Sequence, residues 1–175
     1  MKLADYIEAH RLQSWDRSGL VLELGAATGA LAMFLSTPPR SFQVITSDID
    51  DGGDVEANIS HNFKLNDLES VMHMPYTWGN DLVASLKQLN DKYKTDVTFP
   101  QFKYIVASDI LLYVSAYPAL VESLVKLFEL SGHVEEFLMA WNRRIDESKI
   151  FYALMEEAGF LCDRLGGGIY SFTRR

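Results

Sequence analysis

The most chemically suggestive stretch of the chain is Glu23-Leu24-Gly25-Ala26-Ala27-Thr28-Gly29. Glycines let a backbone turn tightly and approach a ligand. The Gly-x-x-x-Gly spacing differs from the G-x-G-x-x-G of a pyrophosphate turn, and a pyrophosphate disfavours a neighbouring carboxylate. Glu23 instead suits a ligand with a cationic end. Two glycines by themselves also fit an ordinary strand-to-helix turn. Asp48 follows Gly25 by 23 residues and closes a β-branched run. An acid at that place can accept both hydroxyls of a ribose. Asp50 and Asp51 compete for the role, and all three could simply be solvated loop acids. In Ala107-Ser108-Asp109-Ile110-Leu111-Leu112-Tyr113, Asp109 is a candidate polar anchor, and Tyr113 offers a ring face to a cation. The plainer reading has Asp109 capping a helix and Tyr113 packed in the core. Trp78-Gly79 offers an aromatic edge to an adenine ring, with a core tryptophan as the alternative.

Other chemistries find little support. His10, His61, His73 and His133 lack metal-ligand spacing, and there is no G-x-S-x-G elbow or Walker loop, so no metal is expected. Cys162 is the single cysteine and reads as a small buried hydrophobe. It can form no internal disulfide, which fits the cytoplasm or nucleus. Sixteen Lys and Arg against 24 Asp and Glu give a net charge of −8, unsuited to a nucleic-acid backbone. No apolar run approaches the ~18–20 residues that span a bilayer, and the acidic start does not resemble a secretion signal. No membrane or nucleic-acid partner is expected, and the oligomeric state is not legible.

The elements that must hold these residues follow from periodicity. Residues 2–14 suit an amphipathic helix. Strands are expected over 19–24, 42–47, 71–78, 102–107 and 136–141, and helices over 29–36, 53–63, 81–89, 117–130 and 147–158. Pro38-Pro39 stops the second helix, and Gly159 stops the last. Runs 160–165 and 168–173, joined by a glycine triplet, are too close for a parallel crossover and read as a hairpin. The 175 residues, 48% hydrophobic, make one domain with a sufficient core. The fold class is α/β: a Rossmann-like three-layer sandwich with a mostly parallel seven-stranded sheet and a C-terminal antiparallel hairpin. Ligands of such sheets sit beyond the carboxyl ends of the strands, where the three stretches fall.

The chain resembles the class I, seven-strand S-adenosylmethionine-dependent methyltransferases, and within them the methyltransferase-like protein-lysine methyltransferases. The resemblance rests on Val21–Gly29, Thr46-Ser47-Asp48, Asn58-Ile59-Ser60-His61-Asn62, Thr77-Trp78-Gly79 and Ala107–Tyr113, in the family's order, and spans nearly the whole chain. It implies that Glu23 and the loop Gly25, Ala26, Ala27, Thr28 and Gly29 hold the methionine part of the cofactor. Asp48 would then bind the ribose and Trp78 lie by the adenine, with Ala107, Ser108 and Asp109 as a floor between cofactor and acceptor. Asp109 and Tyr113 are the catalytic candidates, S-adenosylmethionine is the cofactor and a protein is the substrate. A small-molecule methyltransferase and a non-catalytic binding module of the same fold are the alternatives, and a nicotinamide oxidoreductase is a weaker one. The chain departs from the family in Ala27, where a glycine is usual and alanine needs a negative φ, and in Leu112, since the aromatic comes one step later at Tyr113. It also starts at the family's first helix, so an N-terminal family segment is expected to be missing from the 1–175 domain.

Overall fold

The computed structural model describes residues 2–95, 102–142 and 146–174. Helix α1 (Lys2–His10) precedes five strand–helix units: β1 (Leu20–Leu24) with α2 (Ala30–Ser36), β2 (Gln43–Asp48) with α3 (Asp54–Leu65), β3 (Met72–Pro75) with α4 (Leu82–Tyr93), β4 (Phe102–Ser108) with α5 (Tyr117–Ser131), and β5 (Glu136–Ala140) with α6 (Lys149–Glu157). Strands β6 (Phe160–Gly166) and β7 (Ile169–Arg174) close the chain. They form the expected antiparallel hairpin, and β7 also pairs antiparallel with β5. The seven strands lie in the order β3-β2-β1-β4-β5-β7-β6, with β3 to β5 mutually parallel.

Side-chain alternation explains why both faces are covered. Val21 in β1, Tyr104 and Val106 in β4 and Leu138 in β5 pack with Leu3 and Ile7 of α1, Leu31 and Leu35 of α2 and Ile59 and Phe63 of α3. Their neighbours Leu22, Ile105, Phe137 and Met139 face the opposite way, onto Leu86, Leu120, Leu124 and Phe151 from α4, α5 and α6. Three layers result, as expected. Three boundaries differ from the sequence reading by three residues or more, one of them the end of α4, which runs on to Tyr93 rather than stopping at residue 89. Helix α1 ends at His10 rather than residue 14, and the third strand stops at Pro75, where proline has no N–H for the ladder. Trp78 therefore stands in the loop after β3.

One buried ion cluster ties α1 to the sheet. The Arg11 guanidinium donates to both carboxylate oxygens of Glu136, at 3.0 and 2.9 Å. Trp15 Nε1 and Ser171 Oγ donate to the same carboxylate. Burial works against the Glu136 charge, but these donors, led by Arg11, hold its carboxyl below the ordinary range.

Candidate active site

A cleft of about 570 Å³ opens at the carboxyl ends of β1, β2 and β4. Its first wall is the turn after β1. Gly25 has φ +65°, and a Cβ there would come within 2.7 Å of Ile110 Cγ2, so a side chain is excluded both by backbone and by space. Ala26 donates its N–H to the Ser47 carbonyl at 3.1 Å, which fastens the turn to β2. Ala27 lines the cleft with φ +47°, not the negative φ expected of an alanine. Left-handed backbone costs a residue with a Cβ about 1–2 kcal/mol. Three contacts over-determine the conformation. Ala27 N–H donates to Asp48 Oδ2 at 2.8 Å, Asn58 Nδ2 donates to the Ala27 carbonyl at 3.2 Å, and Asn62 Nδ2 donates to the Thr28 carbonyl at 3.0 Å. The two asparagines are four apart, so they share one face of α3.

Asp48 ends β2 inside the cleft. Its Oδ1 accepts the Ile49 N–H at 2.8 Å, and its Oδ2 holds Ala27. Each carboxylate oxygen can accept twice. One acceptor position per oxygen is thus left over, which is what a pair of neighbouring hydroxyls needs. The competitors are engaged in shaping their own loop: Asp51 accepts the N–H groups of Gly53 and Val55, and Asp50 faces Gly52.

Tyr76, Thr77 and Trp78 form the wall beyond β3, against Ala116 and Ala119 at the start of α5. Tyr76 N–H donates to the Asp48 carbonyl at 2.7 Å, and its hydroxyl donates to Ser123 Oγ at 2.8 Å. Ser108 and Asp109 make the floor at the end of β4. Asp109 also adopts left-handed backbone, φ +55°, while its N–H donates to the Ala140 carbonyl at 2.9 Å. Ile110, Leu112 and Tyr113 complete the rim. Tyr113 is 72% exposed, so it does not pack in the core.

The structure thus gathers Gly25, Ala27, Asp48, Trp78, Ser108, Asp109 and Tyr113 around one cavity. Glu23, Ala26, Thr28, Gly29 and Ala107 are not on its wall. Ala107 is wholly buried in β4. Gly29, at φ +71°, precedes α2, and Thr28 is held from behind by Asn62. Glu23 shares the Val21 face of β1 and points under the turn, where Oε2 accepts the Ala32 N–H at 2.9 Å. Burial pushes its carboxyl up to about 8, and the charge of Asp48 adds to the effect. The wall residues that escaped the sequence reading are Ile49, Tyr76, Thr77, Ile110, Ala116 and Ala119. Small and apolar residues carry no chemical signal, although Thr77 and Ile110 adjoin Trp78 and Asp109. Among the described residues, no three His, Cys, Asp or Glu side chains are grouped to hold a metal.

A family model described as lysine methyltransferase matches residues 2–158. The chain belongs to this lysine methyltransferase family. A protein-lysine N-methyltransferase, EFM3, of Chaetomium thermophilum is 30% identical over 144 residues, which cover 80% of this chain and 40% of the fungal protein. The family member described here therefore spans less than half the length of that curated relative. Solved structures share its fold at lower identity. A ribosomal-protein methylase from Lactobacillus delbrueckii subsp. bulgaricus superposes with a TM-score of 0.59, at 20% identity, over 99% of this chain and 77% of that one. Magnesium protoporphyrin IX methyltransferase from Synechocystis, solved with bound SAH, gives 0.58 at 13% identity, over 99% of this chain and 80% of its own.

Proposed function

We propose that this chain transfers a methyl group from S-adenosylmethionine to a lysine side chain of a protein. The observation that carries the reading is the Asp48 carboxylate, fixed in the cleft by the N–H groups of Ala27 and Ile49 and retaining one acceptor position on each oxygen. The remaining walls fit the rest of such a cofactor. Gly25 permits close backbone approach, and the Tyr76–Trp78 wall suits a flat heterocycle. S-adenosylmethionine supplies an electrophilic methyl group, so the protein chiefly has to align the acceptor and exclude water. Ser108 and Asp109 would separate cofactor from acceptor. An amine acts as a nucleophile only when unprotonated, and the apolar rim of Ile110 and Leu112 favours the neutral amine. Tyr113 would guide the incoming chain with its ring face, and Asp109 would orient the amine. Glu23 is a positioning residue in this scheme. It holds α2 under the turn rather than touching the cofactor.

Among the described residues no helix is long and apolar enough to cross a membrane. The proposed setting is the cytoplasm, where the Cys162 thiol, raised to about 11 chiefly by burial, stays reduced and unreactive.

The test is incubation with methyl-labelled S-adenosylmethionine and cell extract, followed by hydrolysis and amino-acid analysis. Label recovered as methyl-lysine from protein is the expected result. Label confined to the low-mass fraction would replace the acceptor by a small molecule. No binding heat with the cofactor would leave only a binding module.

A further inference from the structure

A second cavity, of about 350 Å³, lies between the end of β5, the start of α6 and the β6–β7 hairpin. A backbone hydrogen bond links its surroundings to those of the first. Ala140, whose carbonyl holds the Asp109 N–H, is followed directly by Trp141, which lines the second cavity. Three features give this cavity a definite chemistry.

The first is a set of buried donors. Trp141 is 2% exposed and Ser148 is 1% exposed, yet among the described residues neither the indole N–H nor the Ser148 hydroxyl has a hydrogen-bond partner. Buried polar groups are rarely left unsatisfied, because each costs its full desolvation. Asn142 turns its side-chain oxygen to Lys2 Nζ at 2.9 Å, so this acceptor is already engaged. The second feature is charge. Among the described residues, Lys149 and Arg164 line the cavity and no carboxylate does, on a chain whose net charge is −8. Ser148 ends a 3-10 turn, Asp146–Ser148, that runs directly into α6, whose first residue is Lys149. The third is shape. Tyr152 and Tyr170 pack with ring centroids 4.7 Å apart and planes tilted by 32°, and the Arg164 guanidinium sits 5.9 Å from the Tyr170 ring centroid. Aromatic rings, buried donors and two cations thus line one cavity.

We infer that this cavity binds the carboxylate of an Asp or Glu side chain close to the acceptor lysine in the protein substrate. The inference rests on the methyl-transfer reading of the neighbouring cleft. The aliphatic stem of the acidic residue would lie against Tyr152 and Tyr170, while Trp141, Ser148, Lys149 and Arg164 donate to its oxygens. Charge-assisted bonds of this kind are the stronger ones and are geometrically selective.

Two measurements on the full chain test it. The Trp141 indole N–H resonance, assigned by its loss in Trp141→Phe, is followed while N-acetylglutamate methylamide or the matching glutamine amide is added. The glutamate compound should shift it and the glutamine compound should not. Arg164 is exposed, so Arg164→Gln should fold and weaken the effect by roughly tenfold. In the second measurement, the enzyme methylates a peptide library with one fixed lysine and randomised flanks. Wild type should favour Asp or Glu at one flanking position. Arg164→Gln should lose that preference while its affinity for S-adenosylmethionine is unchanged. An indole that ignores the glutamate compound overturns the site. A shifting indole with no acidic preference in the library overturns its assignment to the substrate. A shifting indole with cofactor bound and no peptide methylated overturns the lysine reading itself, and the indole readout tells the two failures apart.

Discussion

Glu23 makes the stability of this protein depend on pH in the opposite sense to a paired carboxylate. The residue is 4% exposed, and burial, which disfavours the charge, pushes its carboxyl up to about 8 from an ordinary 4.5. Below the lower value both folded and unfolded chains hold the proton, and the stability is fully present. Between the two values the folded chain holds more protons, so stability falls steadily as pH rises. Above the higher value the loss is complete. The span corresponds to a loss of roughly 4–5 kcal/mol as an upper figure. Glu23→Gln removes the titration and keeps a carbonyl to accept the Ala32 N–H. Urea unfolding of both proteins, without cofactor, at about pH 5 and about pH 8.5 reads the effect. The variant should gain on wild type by several kcal/mol between those conditions, other groups cancelling in the comparison. His73 is one of these, since burial lowers its pKa in both proteins. A difference between the two proteins that stays constant with pH would refute the reasoning, because Glu23 would then not change its charge in this interval.

The site and the core yield further expectations. Asp48→Ala removes the proposed ribose acceptor and the anchor of Ala27, and calorimetry should show cofactor affinity lower by roughly 10- to 100-fold. Ala27→Gly relieves about 1–2 kcal/mol of left-handed strain and adds about 0.4–1 kcal/mol of unfolded-state entropy, so thermal stability should rise slightly; a fall would contradict the strain. Arg11→Met leaves Glu136 charged and buried with only Trp15 and Ser171 as donors, and should cost about 3–5 kcal/mol in chemical denaturation. A cost below about 1 kcal/mol would show that Glu136 takes up a proton instead.

Much of the fold was legible because β1, β2, β4 and β5 each centre on a short apolar run, and because Pro38-Pro39 and Gly159 stop two of the helices. The third strand was read too long because Tyr76, Thr77 and Trp78 have strand-forming side chains, whereas Pro75 ends the pairing and Tyr76 N–H turns to the Asp48 carbonyl. Asp48 and Asp109 were legible as site residues from their places after strands two and four. Glu23 was legible as chemically unusual, but its environment was not. Its direction depends on the alternation of β1 and on how closely α2 approaches, and both are tertiary facts. Tyr113 shows the same limit from the other side. An aromatic residue beside Leu111 and Leu112 reads equally well as core or rim until the turn after β4 fixes which way it faces.

The strand order has a consequence for how the molecule meets its neighbours. The two outermost strands are β3 and β6, and these alone among the described strands have backbone groups facing away from the sheet. A bare strand margin is a template on which another chain can add itself. Here β3 offers only four residues and terminates in Pro75, while β6 places Asp163 and Arg164 in its second half and has an irregular register between Arg164 and Gly166. Shortness, a missing donor, charge and a bulge all discourage strand addition. The antiparallel hairpin that completes the sheet thus also supplies one of its two guarded margins, so that crowded copies have little backbone on which to polymerise.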